Sequence, residues 1–183
     1  MSRRRVLLGT GTLAAGMTGG IALASKGASA SVSGDFSIPD GRTVLADESL
    51  QDIRLSVDTE WSFESNAPIH GIELELHVGA TADTLDLIAR HEREDIGTDS
   101  LSGEQTLNGS LMSASDFSVS DFEPSDGELA TSVVSELRFY AIRDGEVAAE
   151  ARQMDTFTVT VSDEALQVDM TLGGTGSVEF QTG

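Results

Sequence analysis

Residues 52–64, with the sequence DIRLSVDTEWSFE, alternate between two kinds of side chain without interruption. One set is largely apolar and consists of Ile53, Leu55, Val57, Thr59, Trp61 and Phe63. The residues between them are charged or carry a hydroxyl group. A period of two places alternate side chains on opposite faces of a β-strand, whereas a helix would scatter them around its circumference. The segment therefore predicts a half-buried strand, with Trp61 as a core aromatic.

The same alternation recurs along the chain. The run GIELELHVGA at 71–80 is expected to pair antiparallel with the first strand through a turn at 65–68. Further extended runs lie at 85–89, 104–112, 129–142, 147–154, 157–161, 166–172 and 178–180. Asp144-Gly145 separates two of these runs and predicts a type I′ hairpin, because both central residues of that turn need a positive φ. One short helical turn is expected around Asp116 and Phe117.

These runs predict an all-β fold of eight or nine strands, without an amphipathic helix. A chain of this length buries about 68–70% of its unfolded surface, which is enough for one real core. We expect residues 31–183 to form a single domain, an antiparallel two-sheet sandwich with immunoglobulin-like architecture. A small β-barrel is the alternative. The chain has no cysteine, so the paired cysteines of immunoglobulin domains are missing and only the architecture is predicted.

The first thirty residues have the three parts of an export signal. Arg3, Arg4 and Arg5 are followed by a glycine-rich apolar stretch, and Ala28-Ser29-Ala30 has the small residues read by a signal peptidase. The start of the segment, SRRRVLL, resembles the twin-arginine motif, which implies twin-arginine translocation of an already folded chain. Residues 1–30 are therefore predicted to be a Tat-type signal peptide cleaved at Ala28 and Ala30. An uncleaved N-terminal anchor is the alternative.

The charge of the chain indicates the solvent in which it works. All 31 acidic residues follow Ala30, dispersed over most segments, and the only lysine, Lys26, precedes it. Dispersed carboxylates keep a protein hydrated in concentrated salt, where the Debye length falls to about 3 Å at 1 M. This acidic, cysteine-free composition with a twin-arginine-like signal resembles exported proteins of halophilic archaea. Nucleic acid is excluded as a partner, because the chain has few cationic side chains to pair with phosphates. No run after Ala30 approaches the ~20 apolar residues that span a membrane.

Few residues point to chemistry. The sequence has neither a G-x-S-x-G elbow nor an S-x-x-K motif after Ala30, so no catalytic residue is assigned. His70, His77 and His91 are spaced without a ligand pattern and are expected to be solvated. The densest acidic loop is a weak candidate for calcium, which accepts six to eight oxygens; an ordinary solvated turn is the alternative. Its carboxylates are Asp121, Glu123, Asp126 and Glu128. No other cofactor is expected.

Asn108-Gly109-Ser110 matches the N-x-S acceptor of N-glycosylation. With an export signal, strands and acidic residues as the positive features, we expect a non-catalytic extracellular or cell-surface module. Its partner would be an extracellular protein, a glycan or the chain itself. The alternative is an envelope or filament subunit that polymerises by β-strand addition, with residues 31–38 or 176–183 as the donated strand. A secreted hydrolase is the least favoured reading.

Overall fold

The computed structural model describes residues 19–24, 28–33, 36–45, 49–125, 127–163 and 176–182. Ten strands lie within these ranges. Their bounds are β1 Gly19–Ala24, β2 Ala28–Ser33, β3 Gly41–Val44, β4 Leu50–Ile69, β5 Gly71–Gly79, β6 Asp86–Arg93, β7 Thr98–Ser110, β8 Glu128–Arg143, β9 Glu146–Ser162 and β10 Gly176–Thr182. Two single turns of 3-10 helix, Leu111–Ser113 and Val119–Asp121, connect β7 to β8.

The strands form two sheets. The six-stranded sheet has the order β1-β9-β8-β5-β6, with β3 also bonded to β9, and the four-stranded sheet joins β10, β2 and β7 to β4. All described pairings are antiparallel except that of β3 with β9. The coarse prediction, an all-β fold of two sheets resembling a sandwich, is confirmed. No helix among the described residues is long and apolar enough to span a bilayer.

The core lies between the two sheets and is supplied by the alternating positions. On β4 the predicted inward set is buried, and Trp61 is only 4% exposed. Its ring stacks on Phe139 of β8 with centroids 5.4 Å apart, so this pair joins the two sheets. Gly103 leaves room for the indole, because a Cβ there would lie 2.6 Å from Trp61 Cζ2. The expectation that Trp61 is a core aromatic is confirmed.

The predicted antiparallel pairing of the first two strands is wrong. β4 runs through the expected turn to Ile69, and β5 begins at Gly71, so only His70 separates them. β4 belongs to the four-stranded sheet and β5 to the six-stranded sheet. A single connecting residue cannot make a hairpin, and the chain instead turns a corner from one sheet to the other, as strands do in orthogonal packings. The alternation fixes which side chains face the core, but it does not select the partner strand.

The β8–β9 hairpin agrees with its predicted turn. Asp144 and Gly145 have φ angles of 53° and 78°, the positive values that a type I′ turn requires. The two runs expected at 147–154 and 157–161 form one continuous strand, β9. β6 and β7 are longer than predicted and leave only residues 94–97 as the loop between them. The helical turns flank Asp116 and Phe117, and the run at 166–172 lies outside the described residues.

The N-terminal strands lie along one side of the sandwich. β1 pairs with residues 149–154 of β9, β2 pairs with residues 60–65 of β4, and β3 pairs with residues 159–162 of β9. β1 and half of β2 fall within the segment predicted as a signal peptide. Ala28 and Ala30, the predicted cleavage residues, are each 3% exposed in β2. In this folded form, a peptidase reaches the bond after Ala30 only once β2 has left the sheet.

Candidate functional site

The outer side of the six-stranded sheet carries a dense network of charged side chains, here called the charged face. Its members lie on neighbouring strands, β9, β8, β5 and β6, at positions that alternate with the core residues. They are Glu73, Glu75, His77, Arg90, Glu92, Glu136, Arg138, Tyr140, Glu150 and Arg152. The strand register sets them in transverse rows. One row runs Glu150, Tyr140, Glu73, Glu92, and the next runs Arg152, Arg138, Glu75, Arg90.

Arg90 joins the carboxylates of β5 to those of β6. Its Nε lies 2.6 Å from Glu73 Oε1, and its Nη2 lies 2.6 Å from Glu92 Oε1. The Glu73 side chain is only 13% exposed, although it is on the outer side of the sheet. Such cross-strand pairs of opposite charge stabilise a sheet by roughly 0.2–1 kcal/mol each. Arg90 therefore holds two strands in register while it neutralises a half-buried carboxylate.

The ion pair with the most buried carboxylate of the charged face lies on β8. Arg138 donates from Nε and Nη2 to Glu136 Oε2, at 2.8 and 2.5 Å. The Glu136 side chain is 7% exposed, and Arg152 of β9 approaches its other oxygen at 3.8 Å. Arg152 also donates to Glu150. Two arginines thus enclose one carboxylate that has almost no contact with water.

The two glutamates of β5 differ in acidity. Burial raises the pKa of Glu73 above its ordinary value, and the Arg90 guanidinium offsets this only in part. Burial acts in the same direction on Glu75, but hydrogen bonds from His77 and Glu73 outweigh it and lower the pKa of Glu75. As the pH falls, Glu73 takes up a proton before Glu75 does. Burial also raises the pKa of Tyr140, which Arg138 partly offsets.

His77 is the histidine for which the sequence expectation fails. It lies on the polar side of β5 as predicted, but the residue is 8% exposed rather than solvated. Its Nε2 lies 2.8 Å from Glu75 Oε2, and Glu136 is its cross-strand neighbour on β8. Its Nδ1 is buried without a hydrogen-bond partner. Neighbouring long side chains cover this imidazole, an effect that the period of a single strand does not reveal.

The other two histidines are more accessible. His70 is exposed at the corner between β4 and β5, with Nδ1 3.2 Å from Asp144 Oδ1. His91 is half-buried on β6, opposite Leu74 of β5. The three histidines lie at separate places, so they do not form one site. Within the part of the chain that the structure describes, no group of three or more His, Asp or Glu side chains is placed to hold a metal ion.

Replacing His77 with leucine is expected to lower the free energy of unfolding by about 1–2 kcal/mol near neutral pH. The reason is that the Glu75 carboxylate, a charged acceptor, loses its hydrogen bond with His77 Nε2. Since folding lowers the pKa of Glu75, its stabilising contribution is complete above its ordinary pKa and is lost as the pH falls through the folded value. The difference between parent and variant should therefore shrink below about pH 4. Thermal unfolding from pH 3 to pH 8, with His91→Leu as the control, measures it. A difference that grows on acidification would contradict the assignment.

The acidic loop proposed for calcium is held by contacts within the protein. Asp121 accepts hydrogen bonds from the backbone N–H and the hydroxyl of Ser118, which lower its pKa. Glu123 accepts from the Leu50 N–H at 3.1 Å, and Glu128 pairs with Arg42. Asp126 lies outside the described residues. Three of the four carboxylates thus have separate partners, and a shared calcium ion stays a prediction.

Asn108 is exposed on β7, opposite Ser56 of β4. The acceptor serine of its motif, Ser110, is used within the fold: its hydroxyl donates to Asp52 and accepts the N–H of Met112. An open cleft adjoins this position. Its lining residues are Arg54, Leu55, Ser56, Ile88, Asn108, Gly109, Ser110 and Glu179. The asparagine is accessible to a modifying enzyme, and its glycosylation stays a prediction.

The signal motif, Arg3, Arg4 and Arg5, lies outside the described residues. Of the predicted cleavage residues, Ala28 and Ala30 are placed in β2 as given above. The charged face was not among the sites predicted from sequence, since its rows depend on the order of four strands. No protein-family model and no curated protein matches this sequence.

Proposed function

We propose that the chain is a non-catalytic β-sandwich module of the cell surface or extracellular space, adapted to concentrated salt. Export by the twin-arginine route and removal of residues 1–30 are part of the proposal. So is an immunoglobulin-like arrangement of the sandwich, for which the buried Trp61 between the sheets is the supporting feature. The module would bind an extracellular protein or glycan, or serve as a structural element.

The observation that carries the proposal is the division of the acidic residues into two groups. Arginines hold the carboxylates of the charged face, and those side chains are mostly shielded from water. Elsewhere many of the acids stand at exposed positions, including Asp58 and Glu60 on β4 and Glu104 on β7. Glu60 and Glu104 even face each other across two strands. Like charges in that position destabilise a sheet in dilute solution, and salt removes the penalty.

Stepwise dilution of salt tests the proposal. We expect the protein to be folded in multimolar KCl and to unfold as the salt concentration falls, because repulsion among exposed carboxylates is no longer screened. Circular dichroism and light scattering at each step measure secondary structure and size. Glu60→Gln, which removes one of the facing charges, is expected to shift the midpoint to lower salt, whereas Glu92→Gln, which removes a partner of Arg90, is not. A fold that is indifferent to salt would contradict the adaptation.

A second candidate, assembly by β-strand addition, is favoured by the position of β10. This C-terminal strand lies at the edge of the four-stranded sheet, where it pairs with residues 50–57 of β4 and leaves Val178 and Phe180 only half-buried. The other proposed donor, residues 31–38, is held more firmly. Phe36 and Ile38 are 5% and 3% exposed, and the Ile38 N–H donates to Asp155 at 2.7 Å.

Negative-stain electron microscopy in concentrated salt tests this second candidate. If β10 is exchanged between subunits, filaments should form and should disappear when residues 176–183 are deleted. The matched control is Glu179→Gln, which changes an exposed residue of β10 and leaves the strand in place. Particles of a single small size in both proteins would remove the candidate.

The glycosylation proposal has a separate test: an unshifted mass for the peptide that contains Asn108, from exported protein, would dispose of it.

A further inference from the structure

We propose that removal of residues 1–30 uncovers an edge of β9 through which two copies of the chain form a symmetric dimer. The inference rests on the proposed processing of the N-terminal segment. In the folded full chain, β1 occupies this edge by pairing with residues 149–154. The opposite edge of β9 is bonded to β8 along its whole length, so among the strands that the structure describes the side now paired with β1 is the one that processing would open.

The covering strands are suited to leave. β1 has the sequence GGIALA and β2 the sequence ASASVS, so most of their residues are glycine, alanine or serine. Small side chains remove little apolar area from water, at roughly 25 cal/mol per Å². The backbone hydrogen bonds between β1 and residues 149–154 are ones that a strand from a second copy would replace. The predicted cut after Ala30 falls inside β2 and removes all of β1.

The length of the vacated edge is limited by the chain itself. From Asp155 onward the edge stays covered after processing, because Ile38 donates to the Asp155 carboxylate and β3 pairs with residues 159–162. At the other end, β9 begins at Glu146. If two copies pair antiparallel about Ala151, residues 148–154 of one meet residues 154–148 of the other. In this register, residues 146 and 147 of the second copy lie opposite residues 156 and 155 of the first, where Ile38 covers the edge, so pairing stops at residue 148.

Charge selects this register over its neighbours. Pairing about Ala151 sets Glu150 of one copy opposite Arg152 of the other, and the symmetry repeats the pair. Pairing about Glu150 or about Arg152 would instead oppose two identical charges. On the core side, Ala149 and Ala151 are 2% and 3% exposed and small enough for close approach. In concentrated salt the repulsion between facing like charges is screened, and the register is then favoured by the hydrogen bonds that Arg152 of one copy would donate to the facing Glu150 of the other.

The dimer would continue the six-stranded sheet, and with it the charged face, across the symmetry axis. Arg152 already contacts Glu136 and Glu150 of its own copy. The second copy would therefore extend the rows of ion pairs that join β9, β8, β5 and β6. A docking surface about twice as wide results, which is the form in which we expect the charged face to meet a partner.

Cysteine cross-linking tests the register directly, since the chain has no cysteine of its own. In the 31–183 chain, Ala151→Cys places two sulfurs across the axis, where facing Cα atoms lie about 4.5–5.5 Å apart, within disulfide range. Ala149→Cys is the matched control, because its two copies are about 14 Å apart along the strands. We expect at least about tenfold more cross-linked dimer from the first variant. Equal amounts of cross-linked dimer from the two variants, or none from either, would overturn the register.

Light scattering in concentrated salt supplies the second measurement. The 31–183 chain should be a dimer and the full chain a monomer, with circular dichroism to verify that both are folded. Glu150→Arg should raise the Kd of the dimer about tenfold, whereas the same change at Glu104, on the other sheet, should not. A monomeric or unfolded 31–183 chain overturns the dimer. The intact mass of exported protein separately tests processing, so that retention of residues 1–30 would refute the cleavage without deciding the pairing of β9.

Discussion

Phe139→Ala is expected to lower the free energy of unfolding by about 3–5 kcal/mol, a large share of the 5–15 kcal/mol typical of a domain. Phe139 is fully buried on β8, and its ring stacks on Trp61 of β4, so its loss opens a cavity between the two sheets. Rigid strands on both sides limit how far the cavity can collapse. Denaturant unfolding in concentrated salt, with circular dichroism as the signal, measures the change.

Val147→Ala is the matched control for this prediction. Val147 also lies on a strand of the six-stranded sheet, but it is 52% exposed. Its truncation removes little buried area, and the free energy of unfolding should change by no more than about 0.5 kcal/mol. Equal losses in the two variants would show that the Trp61–Phe139 contact does not join the sheets in the way described.

The strands of this fold were predictable where the pattern is local. The alternation of residues 52–64 assigns each side chain of that part of β4 to the core or to the outer face, and the Asp144-Gly145 turn fixes one hairpin. The partner of β4 was not predictable, because two alternating strands fit equally well side by side in one sheet or face to face in two. The single residue between β4 and β5 decides this, and the sequence around it, rich in turn-forming residues, suggests a hairpin instead.

The contacts within the charged face were also not predictable from a local sequence pattern. The alternation along β5 places Glu73, Glu75 and His77 on its polar face, but the contacts among the members of the charged face need the strand order β9-β8-β5-β6 and the register of three pairings. His77 is the clearest case. Its own strand predicts solvent, and the long side chains around it bury it. Because acidic residues are spread over most of the sequence, composition does not distinguish the exposed carboxylates from the few that arginines enclose.

β1 and β2 lie in a segment where sequence and structure point to different uses of the same residues. Small residues around Ala28 and Ala30 suit a signal peptidase, and they also suit an edge strand that packs closely against β4. The sequence cannot give the second role, since the pairing partners are far along the chain. Under the proposed processing the two uses follow one another, because β1 and residues 28–30 would pair with β9 and β4 before the cut and leave with the signal segment.

Arg138→Gln is expected to lower the free energy of unfolding by about 2–4 kcal/mol, because it removes the guanidinium that donates two hydrogen bonds to Glu136 Oε2. The Glu136 side chain is 7% exposed, so water cannot replace the lost hydrogen bonds, and Arg152, at 3.8 Å, compensates only in part. The expected loss in free energy of unfolding is smaller than that for a fully buried ion pair, because the Arg138 side chain is 23% exposed.

Arg42→Gln is the control, since the Arg42–Glu128 pair is 39% and 46% exposed and should contribute less than about 1 kcal/mol. The double variant Glu136→Leu, Arg138→Leu is expected to recover most of the loss, because it removes the stranded charge together with its partner. Denaturant unfolding of all four proteins in the same concentrated salt gives the comparison. If the Arg138 and Arg42 variants lose equal stability, the Glu136 carboxylate is solvated in the folded protein. The side chains of the charged face would then be hydrated individually and not fixed by ion pairs with one another.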